Sequence, residues 1–343
     1  MSETEFDALI VVSFGGPEGQ DDVMPFLENV LRGKNVPRER MLEVAEHYKE
    51  FGGISPINEQ NRQLIAAIKD ELATHEIDLP VYWGNRNWHP MLPDTLRKMQ
   101  ADGIKNALGF FTSIYSCYSG CRQYRENIAD AQASLGAGAP EIRKLRMAFN
   151  HPRYIEESVD RVRKALADIP AERQPQAHFV FTAHSIPMAM AEGCKYSAQL
   201  NESCRLIMEQ FGGNEWNLVF QSRSGPPTQP WLEPDVCDFL SELKQKTDVT
   251  DVVLMPVGFV SDHMEVLFDL DTEAKELCDE IGINMVRAQT VGVHHSFVSM
   301  IRELILERTA GTEKLAIGNM PPNWDVCPND CCTYERPARR PGT

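Results

Sequence analysis

The alternation of short β-branched or aromatic runs with segments of helical spacing is the feature that most constrains the fold of this chain. Seven runs have the length of a β-strand, at 8–13, 81–84, 107–112, 178–183, 217–221, 252–257 and 284–288. Between them apolar residues recur at helical intervals, as at Leu64, Ile68 and Leu72. Such alternation is typical of α/β proteins, in which helices cover parallel sheets. One helix is expected at 58–73, with Asn58 as its capping residue.

The length of 343 residues predicts two domains, because a single hydrophobic core rarely grows beyond about 250–300 residues. The stretch around 150–152 divides the strand–helix units into two sets of comparable size. We therefore expect an N-terminal domain at 1–150 and a C-terminal domain at 151–318. A tail at 319–343 follows, and its final residues, 336–343, are expected to be disordered.

The net charge of −16 argues against a sequence-independent grip on nucleic acid, which requires basic patches. The first residues lack the order of a signal peptide, and no apolar run approaches the roughly 20 residues of a membrane-spanning helix. These features predict a cytoplasmic protein without a transmembrane segment; they do not indicate an oligomeric state. In a reducing compartment, the nine cysteines are expected to be metal ligands or small buried hydrophobic residues.

Polar or glycine-rich turns follow four of the predicted strands. Ligands of open parallel sheets bind beyond the carboxyl ends of the strands, so these turns are candidate binding residues. The turn at 14–19 is rich in glycine, but it lacks the G-x-G-x-x-G spacing and has Pro17 where backbone N–H groups would be needed. A dinucleotide site is therefore not expected. A tight strand-to-helix turn is the simpler interpretation, and its glycines would also let a flat ligand approach the backbone.

One histidine and three carboxylates are candidates for chemistry. His184 ends a predicted strand, although a lone histidine is more often structural than catalytic. Glu265, Asp269 and Glu273 are spaced four residues apart, so on a helix they would share one face. Apolar residues such as Leu270 interleave with them, which indicates a partly buried row that a cation would stabilise. An exposed acidic helix is the alternative.

Five segments together resemble the ferrochelatase family. They are Ser13-Phe14-Gly15-Gly16-Pro17-Glu18, Phe51-Gly52-Gly53-Ile54-Ser55-Pro56-Ile57, Phe181-Thr182-Ala183-His184-Ser185-Ile186-Pro187, Gln221-Ser222-Arg223-Ser224-Gly225-Pro226 and Phe259-Val260-Ser261-Asp262-His263-Met264-Glu265. They occur in the family's order, and the resemblance extends from residue 8 to about residue 310.

The resemblance implies two similar doubly wound, Rossmann-like domains with parallel four-stranded sheets and a porphyrin cleft between them. It also implies an enzyme of haem biosynthesis that inserts Fe²⁺ into a porphyrin, with His184 and Glu265 as the metal-site pair. Asp269 and Glu273 would extend an acidic row along which iron or protons pass. These residue types suit the reaction, because an imidazole can accept pyrrole protons near neutral pH and can share a ferrous ion with a carboxylate.

The same resemblance implies porphyrin contacts. Ser55 and Tyr124 match positions that contact the ring, Phe14 matches the family's variable residue beneath it, and Arg32 is a candidate partner for a propionate or else a surface residue. The segments 84–88 and 118–124 are most similar to the coproporphyrin-using ferrochelatases of actinobacteria. Coproporphyrin III is therefore the favoured substrate, with protoporphyrin IX next.

Two other functions remain open at this stage. A His–Glu pair does not select its metal decisively, so a chelatase for cobalt or another divalent ion fits the same residues. A carrier of haem or metal without turnover needs only ring contacts and an axial ligand, whereas catalysis also needs the base.

Cys327, Cys331 and Cys332 lie within six residues, too densely for chance burial in a segment without a core-forming pattern. The resemblance supplies Cys121 as a fourth ligand at the start of a predicted helix, where the helix dipole favours a thiolate, with Cys117 as its substitute. Four thiolates suit either a [2Fe–2S] cluster or zinc, and the resemblance favours the cluster. The other four cysteines are expected to be packing residues: Cys194, Cys204, Cys237 and Cys278.

Overall fold

The computed structural model describes residues 6–33, 36–225 and 228–334, and in these residues the strands form two four-stranded sheets. The strands are β1 (Ala8–Ser13), β2 (Val81–Asn85), β3 (Asn106–Phe111), β4 (Glu141–Lys144), β5 (His178–His184), β6 (Trp216–Gln221), β7 (Asp251–Met255) and β8 (Asn284–Arg287). All neighbouring strands are parallel, in the orders β2-β1-β3-β4 and β6-β5-β7-β8. The two sheets thus have the same topology, and the predicted fold of two doubly wound units is confirmed.

Helices connect the strands. The α-helices are α1 (Gln20–Val30), α2 (Arg38–Glu50), α3 (Ile57–Thr74), α4 (Leu92–Ala101), α5 (Gln123–Leu135), α6 (Pro152–Leu166), α7 (Met188–Glu192), α8 (Tyr196–Met208), α9 (Val236–Lys246), α10 (Met264–Val266), α11 (Lys275–Ile281) and α12 (His295–Thr309). Two π-helices, Tyr118–Arg122 and Leu267–Ala274, and a 3₁₀-helix, Gln174–Gln176, complete the set. Among the described helices, none combines the length and apolarity needed to cross a lipid bilayer.

The seven predicted strands are all present, but β4 was not predicted. Three of its four residues are charged, so it has no apolar run that would mark it as a strand. It pairs only with β3 and forms an edge of the first sheet. Charged residues are common on such edges because they oppose pairing with other chains.

One hydrophobic core extends through both sheets. It contains Leu9 and Phe110 of the first sheet and Phe181 and Val253 of the second. The last helix, α12, contributes Phe297, whose ring meets that of Phe110 edge to face with the centroids 6.2 Å apart. A shared core holds the two sheets in a fixed relation. The domain boundary at residue 150 stays a prediction, and the predicted disordered end, 336–343, lies outside the described residues.

Asn58 does not cap α3, so that prediction was wrong. The residue before the helix is Pro56, and Asn58 is fully buried in the first turn. Its side-chain amide donates to the carbonyl oxygens of Gly16 (3.1 Å) and His89 (3.2 Å). Asn58 therefore holds the turn after β1 against the start of α3.

Candidate active site

His184 is the last residue of β5, and the structure brings it next to Glu265. Its Nδ1 lies 2.5 Å from the carbonyl oxygen of Ser185, and its Nε2 lies 3.7 Å from Oε1 of Glu265. A carbonyl oxygen can only accept, so Nδ1 carries the proton of the neutral ring and Nε2 presents its lone pair. The side chains of His184 and Glu265 are 33% and 49% exposed, which leaves both accessible to a ligand.

The surroundings of His184 favour its protonated form. Burial alone would lower the pKa of this imidazole, but the negative charge and hydrogen bond of Glu265 raise it. The Ser185 carbonyl and the charge of Asp269 add to this effect, and the net pKa is above its usual value. His184 is therefore suited to accept protons from a ligand.

The acidic row occupies an irregular helix. Glu265 lies in the short α10, whereas Asp269 and Glu273 lie in the π-helix Leu267–Ala274. The expected helix is present, but two of its three acids lie in a π-helical segment, where the backbone bonds from residue i to residue i+5. Leu270 is fully buried, and Glu265 and Glu273 are exposed on the other side. Such π-helical segments occur frequently at functional sites.

Asp269 is the most sheltered acid of the row. Its Oδ2 accepts hydrogen bonds from the side-chain amide of Gln221, at 3.2 Å, and from the hydroxyl of Ser222. Burial raises the pKa of Asp269 to about 7, with Glu265 and Glu273 contributing and the two hydrogen bonds opposing the rise. Burial also raises the pKa of Glu273. Asp269 can therefore take up and release a proton near neutral pH.

Helix α2 of the N-terminal half reaches the same row, which the sequence did not predict. The imidazole of His47 stacks on the ring of Phe268, with the centroids 4.0 Å apart and the planes at 12°. Burial and the charge of Glu265 raise the pKa of the neighbouring Tyr48. These residues are more than 200 positions from the row, and nothing in the α2 sequence distinguishes them from ordinary helix residues. Only the packing of the two halves reveals them.

Two of the predicted porphyrin contacts meet at the turn after β1: Phe14 lies in the turn, and Ser55, just before α3, packs against it. Phe14 is 36% exposed, a large fraction for a phenylalanine that follows a buried strand. Ser55 is buried, and its backbone N–H donates to the carbonyl of Pro17 at 2.9 Å. A Cβ atom at Gly16 would lie 2.7 Å from the Cβ of Ser55, so only glycine allows this close approach. The roles of Phe14 and Ser55 in binding a porphyrin stay predictions.

Tyr124 lies deeper than Phe14. Its ring stacks on Phe111, with the centroids 5.1 Å apart, and the guanidinium of Arg86 covers it at 4.6 Å. Arg86 also lies 5.7 Å from the ring of Phe14, so it connects the buried tyrosine to the exposed phenylalanine. Arg32 is exposed near the end of α1 and donates to Oδ1 of Asn29 at 2.6 Å. The sequence interpretation did not single out Arg86, although it lies in the segment 84–88.

The four cysteines proposed as ligands form a connected series. The Cys121 thiol, in the π-helix Tyr118–Arg122, is hydrogen-bonded to Cys327, and Cys327 is hydrogen-bonded to Cys331. The sulfurs of Cys331 and Cys332 are 3.4 Å apart. Cys117 instead caps the π-helix, since its sulfur accepts the backbone N–H of Gly120 at 3.1 Å. The bond to Cys327 and burial raise the pKa of Cys121, which outweighs the expected dipole effect.

Comparison with known proteins gives concordant results. The family model for ferrochelatases matches residues 6–309. A ferrochelatase of Rhodopirellula baltica is 60% identical over 337 residues, which cover 98% of this chain and 95% of that protein. A coproporphyrin III ferrochelatase of Streptomyces coelicolor is 50% identical over 365 residues, covering 99% and 96%. The solved structure of SirB from Bacillus subtilis with Fe³⁺ has a TM-score of 0.54 at 14% identity. The match covers 90% of this chain and 97% of that one, and it supports the fold alone.

The matched region includes both sheets and every residue of the candidate active site, and it ends before Cys327. Identities of half the residues or more extend over nearly the full length of the two relatives. The chain therefore belongs to the ferrochelatase family, whose members insert ferrous iron into a porphyrin in haem biosynthesis.

Proposed function

We propose that this ferrochelatase uses coproporphyrin III and that His184 and Glu265 form the site of insertion. The observation that carries the proposal is the 3.7 Å separation of His184 Nε2 and Glu265 Oε1 at the carboxyl end of the second sheet. A lone pair and a carboxylate at this spacing can share one ferrous ion and then release it, because neither is a thiolate. Coproporphyrin is supported by the Streptomyces coelicolor relative, which carries that substrate in its name.

In this proposal His184 also acts as the base. The porphyrin must lose two pyrrole protons as iron enters. Once the iron has left Nε2 for the ring, the imidazole, with its raised pKa, accepts these protons one at a time and passes each one on. Asp269, whose pKa is about 7, then accepts a proton from His184 and passes it to Glu273, which releases it to solvent. The order of exposure fits this path, since Asp269 is partly buried and Glu273 is exposed.

The N-terminal half holds the ring. Phe14 offers an exposed aromatic face, and Arg86 places a cation beside it for a propionate. Arg32 supplies a second cation just beyond the end of α1. Coproporphyrin carries four propionates and protoporphyrin only two, so a site with more than one arginine favours the former.

An anaerobic insertion assay tests the substrate, with coproporphyrin III and protoporphyrin IX offered in parallel with ferrous iron. We expect a kcat/KM at least about tenfold higher for coproporphyrin III, the equivalent of one charge-assisted hydrogen bond. The variants Arg32→Ala and Arg86→Met should reduce this ratio. An equal or reversed ratio in the unaltered enzyme contradicts the substrate assignment and leaves the family assignment intact.

We also propose that Cys121, Cys327, Cys331 and Cys332 hold a [2Fe–2S] cluster. The supporting observation is Arg125, whose Nε and Nη2 are buried without hydrogen-bond partners among the described residues. A buried, unpaired guanidinium is costly unless an anionic group lies close by. Four thiolates carrying a cluster would be that group, and the charges of Lys144 and Arg125 already favour the Cys327 thiolate.

The spacing of the sulfurs supports a cluster over zinc. A tetrahedral zinc ion with Zn–S bonds of about 2.3 Å would bring its four sulfurs within about 4 Å of one another. No three cysteine sulfurs in the described part of the chain lie within 4.8 Å of one another. A two-iron cluster spaces its ligands more widely and would provide a one-electron redox group.

The cluster proposal is tested by colour and metal content. Protein purified without oxygen should be brown and contain two iron atoms and two sulfides per chain in addition to any iron in the cleft. Cys331→Ser should abolish the visible absorbance, whereas Cys278→Ala, a buried cysteine outside the series, should retain it. A colourless protein, or one that contains zinc, contradicts the proposal.

The cytoplasm is the proposed location. All nine cysteines are free, which supports a reducing compartment.

A further inference from the structure

A second group of potential metal-ligating side chains lies away from the His184–Glu265 pair. Glu157 and Asp160 are three residues apart on α6, and His294 directly precedes α12. Each offers one ligand atom, and these three atoms lie within 4.8 Å of one another. The group shares no residue with the His184 site, the acidic row or the cysteine series.

Glu157 is the unusual member of this group. Its side chain is fully buried, and neither carboxylate oxygen has a hydrogen-bond partner among the described residues. Arg161 Nε lies 2.7 Å from Oε1, but it too lacks a hydrogen bond, so the two groups meet at an unfavourable angle. Burial raises the pKa of Glu157 to about 7 in spite of Arg161. Arg161 therefore offsets part of the carboxylate's charge, while both oxygens still have the capacity to accept a further ligand.

His294 meets Glu157 through its Nδ1. This nitrogen accepts the backbone N–H of Ser296 at 3.4 Å, and it also contacts Oε2 of Glu157. A single proton between Nδ1 and Oε2 makes that contact a hydrogen bond, and a metal ion bound by both groups would displace the proton. Burial, together with Arg161 and Lys164, lowers the pKa of His294, so the imidazole is neutral and able to coordinate a metal.

We propose that Glu157, Asp160 and His294 bind a divalent transition-metal ion. One imidazole and two carboxylates suit Fe²⁺, Co²⁺ or Zn²⁺ better than Mg²⁺ or Ca²⁺, which take oxygen ligands alone. A groove of about 650 Å³ between α6 and α8 gives access, and Glu156 and Glu209 line it as further acids. Lys164, 2.6 Å from Asp160, must move aside, and its side chain is 61% exposed and free to do so.

Titration of the full-length enzyme with Co²⁺, followed by visible absorbance and equilibrium dialysis, tests the proposal. His184→Ala removes the cleft site and isolates the second one. Adding His294→Ala to that variant should lower the bound Co²⁺ by one ion per chain and weaken binding by about tenfold or more. His294→Ala alone should keep iron insertion within about twofold of the unaltered enzyme.

Lys164→Met provides a second test, which is needed if His294→Ala harms folding. Removing the competing ammonium should strengthen Co²⁺ binding at this site by several-fold, whereas the matched control Arg163→Met should not change it. Arg163 lines the same groove but lies over the ring of Phe211, 5.9 Å from its centroid. Unchanged Co²⁺ binding in both the His294 and Lys164 variants would make the group an ion-pair network between α6 and α12 and overturn the proposal.

Discussion

The two sheets of this ferrochelatase have the same strand order but present different chemistry at their carboxyl ends. In the N-terminal sheet, β1 leads into the exposed Phe14, and Arg86 follows β2. In the C-terminal sheet, β5 ends in His184, and the chain after β7 carries Glu265 and Asp269. One sheet thus offers an aromatic face and a cation, and the other an imidazole and carboxylates.

This difference teaches that topology places a site and the residues after each strand decide what the site does. In the proposed reaction the N-terminal half holds the ring and the C-terminal half supplies the metal ligands and the base. The shared core and helix α2 bring the two sets together. Substitutions in the N-terminal half should therefore change KM for the porphyrin, and substitutions in the C-terminal half should change kcat.

The largest expected effect comes from the C-terminal half. His184→Ala should lower kcat by roughly 10²–10⁴-fold, the usual contribution of a positioned acid or base. Porphyrin affinity, measured by fluorescence quenching, should stay within about threefold, because the proposed ring contacts lie in the other half. His75→Ala is a suitable control, since His75 is an exposed residue at the end of α3. Retained turnover in His184→Ala would remove the base from the mechanism.

In the N-terminal half, we expect a substitution to raise KM and to leave kcat nearly unchanged. Arg86→Met should raise KM for coproporphyrin III by about tenfold, because a charge-assisted hydrogen bond contributes roughly 1.5–3 kcal/mol, while kcat changes little. Arg62→Met is the matched control, since Arg62 is an exposed arginine of α3 that pairs with Glu59 at 3.3 Å. A fall in kcat without a change in KM would show that Arg86 acts on the reaction rather than on the ring.

The candidate site residues of the C-terminal half were easier to identify from the sequence than those of the N-terminal half. His184 ends one buried apolar strand and Glu265 follows another, and the rule that parallel strands present ligands at their carboxyl ends brings them together. The spacing of Asp269 and Glu273 placed them in one row with Glu265. Local pattern and topology thus indicated where these four residues lie, and their roles in the reaction stay predictions.

The residues that sequence reasoning missed depend on long-range packing. His47 meets Phe268 only because the two halves share a core, and Arg125 is unusual only because its Nε and Nη2 are buried without a hydrogen-bond partner in the part of the chain that the structure describes. The π-helix was also missed, since a spacing of four residues fits an α-helix and a π-helix equally well. Asn58 was misread because its sequence position resembles a cap, whereas its amide serves the turn that contains Gly16.

A smaller effect, on the melting temperature, should distinguish the partly buried Asp269 from the exposed Glu265 and Glu273. The pKa of Asp269 is about 7, well above its value in an unfolded chain. Its ionised form is therefore disfavoured in the folded protein, and this cost appears as the pH rises from about 4 to 7 and is complete above 7. Asp269→Asn removes the cost, so the melting temperature should rise by roughly 2–5 °C at pH 8 and stay unchanged at pH 4.

The activity of Asp269→Asn provides the second measurement. If Asp269 relays protons, the rise in kcat near pH 7 that its ionisation causes should be absent from the variant. Glu276→Gln, an exposed acid of α11 beyond the row, serves as the control and should keep the profile of the unaltered enzyme. Identical pH profiles for all three proteins would assign Asp269 a structural role.

The smallest expected effect concerns the joint between the two halves. The side-chain amide of Gln60, in α3, donates to the carbonyl of Asp262 at 3.2 Å and accepts its backbone N–H at 2.9 Å. Since Asp262 lies three residues before Glu265, these two bonds connect α3 of the N-terminal half to the segment that carries Glu265. Gln60→Ala should lower the free energy of unfolding by about 1–2 kcal/mol, which urea denaturation would measure. Both KM and kcat should change by less than about threefold, because the shared core still positions the halves; a large loss of kcat alone would mean that this joint, rather than the core, sets the distance between His184 and Glu265.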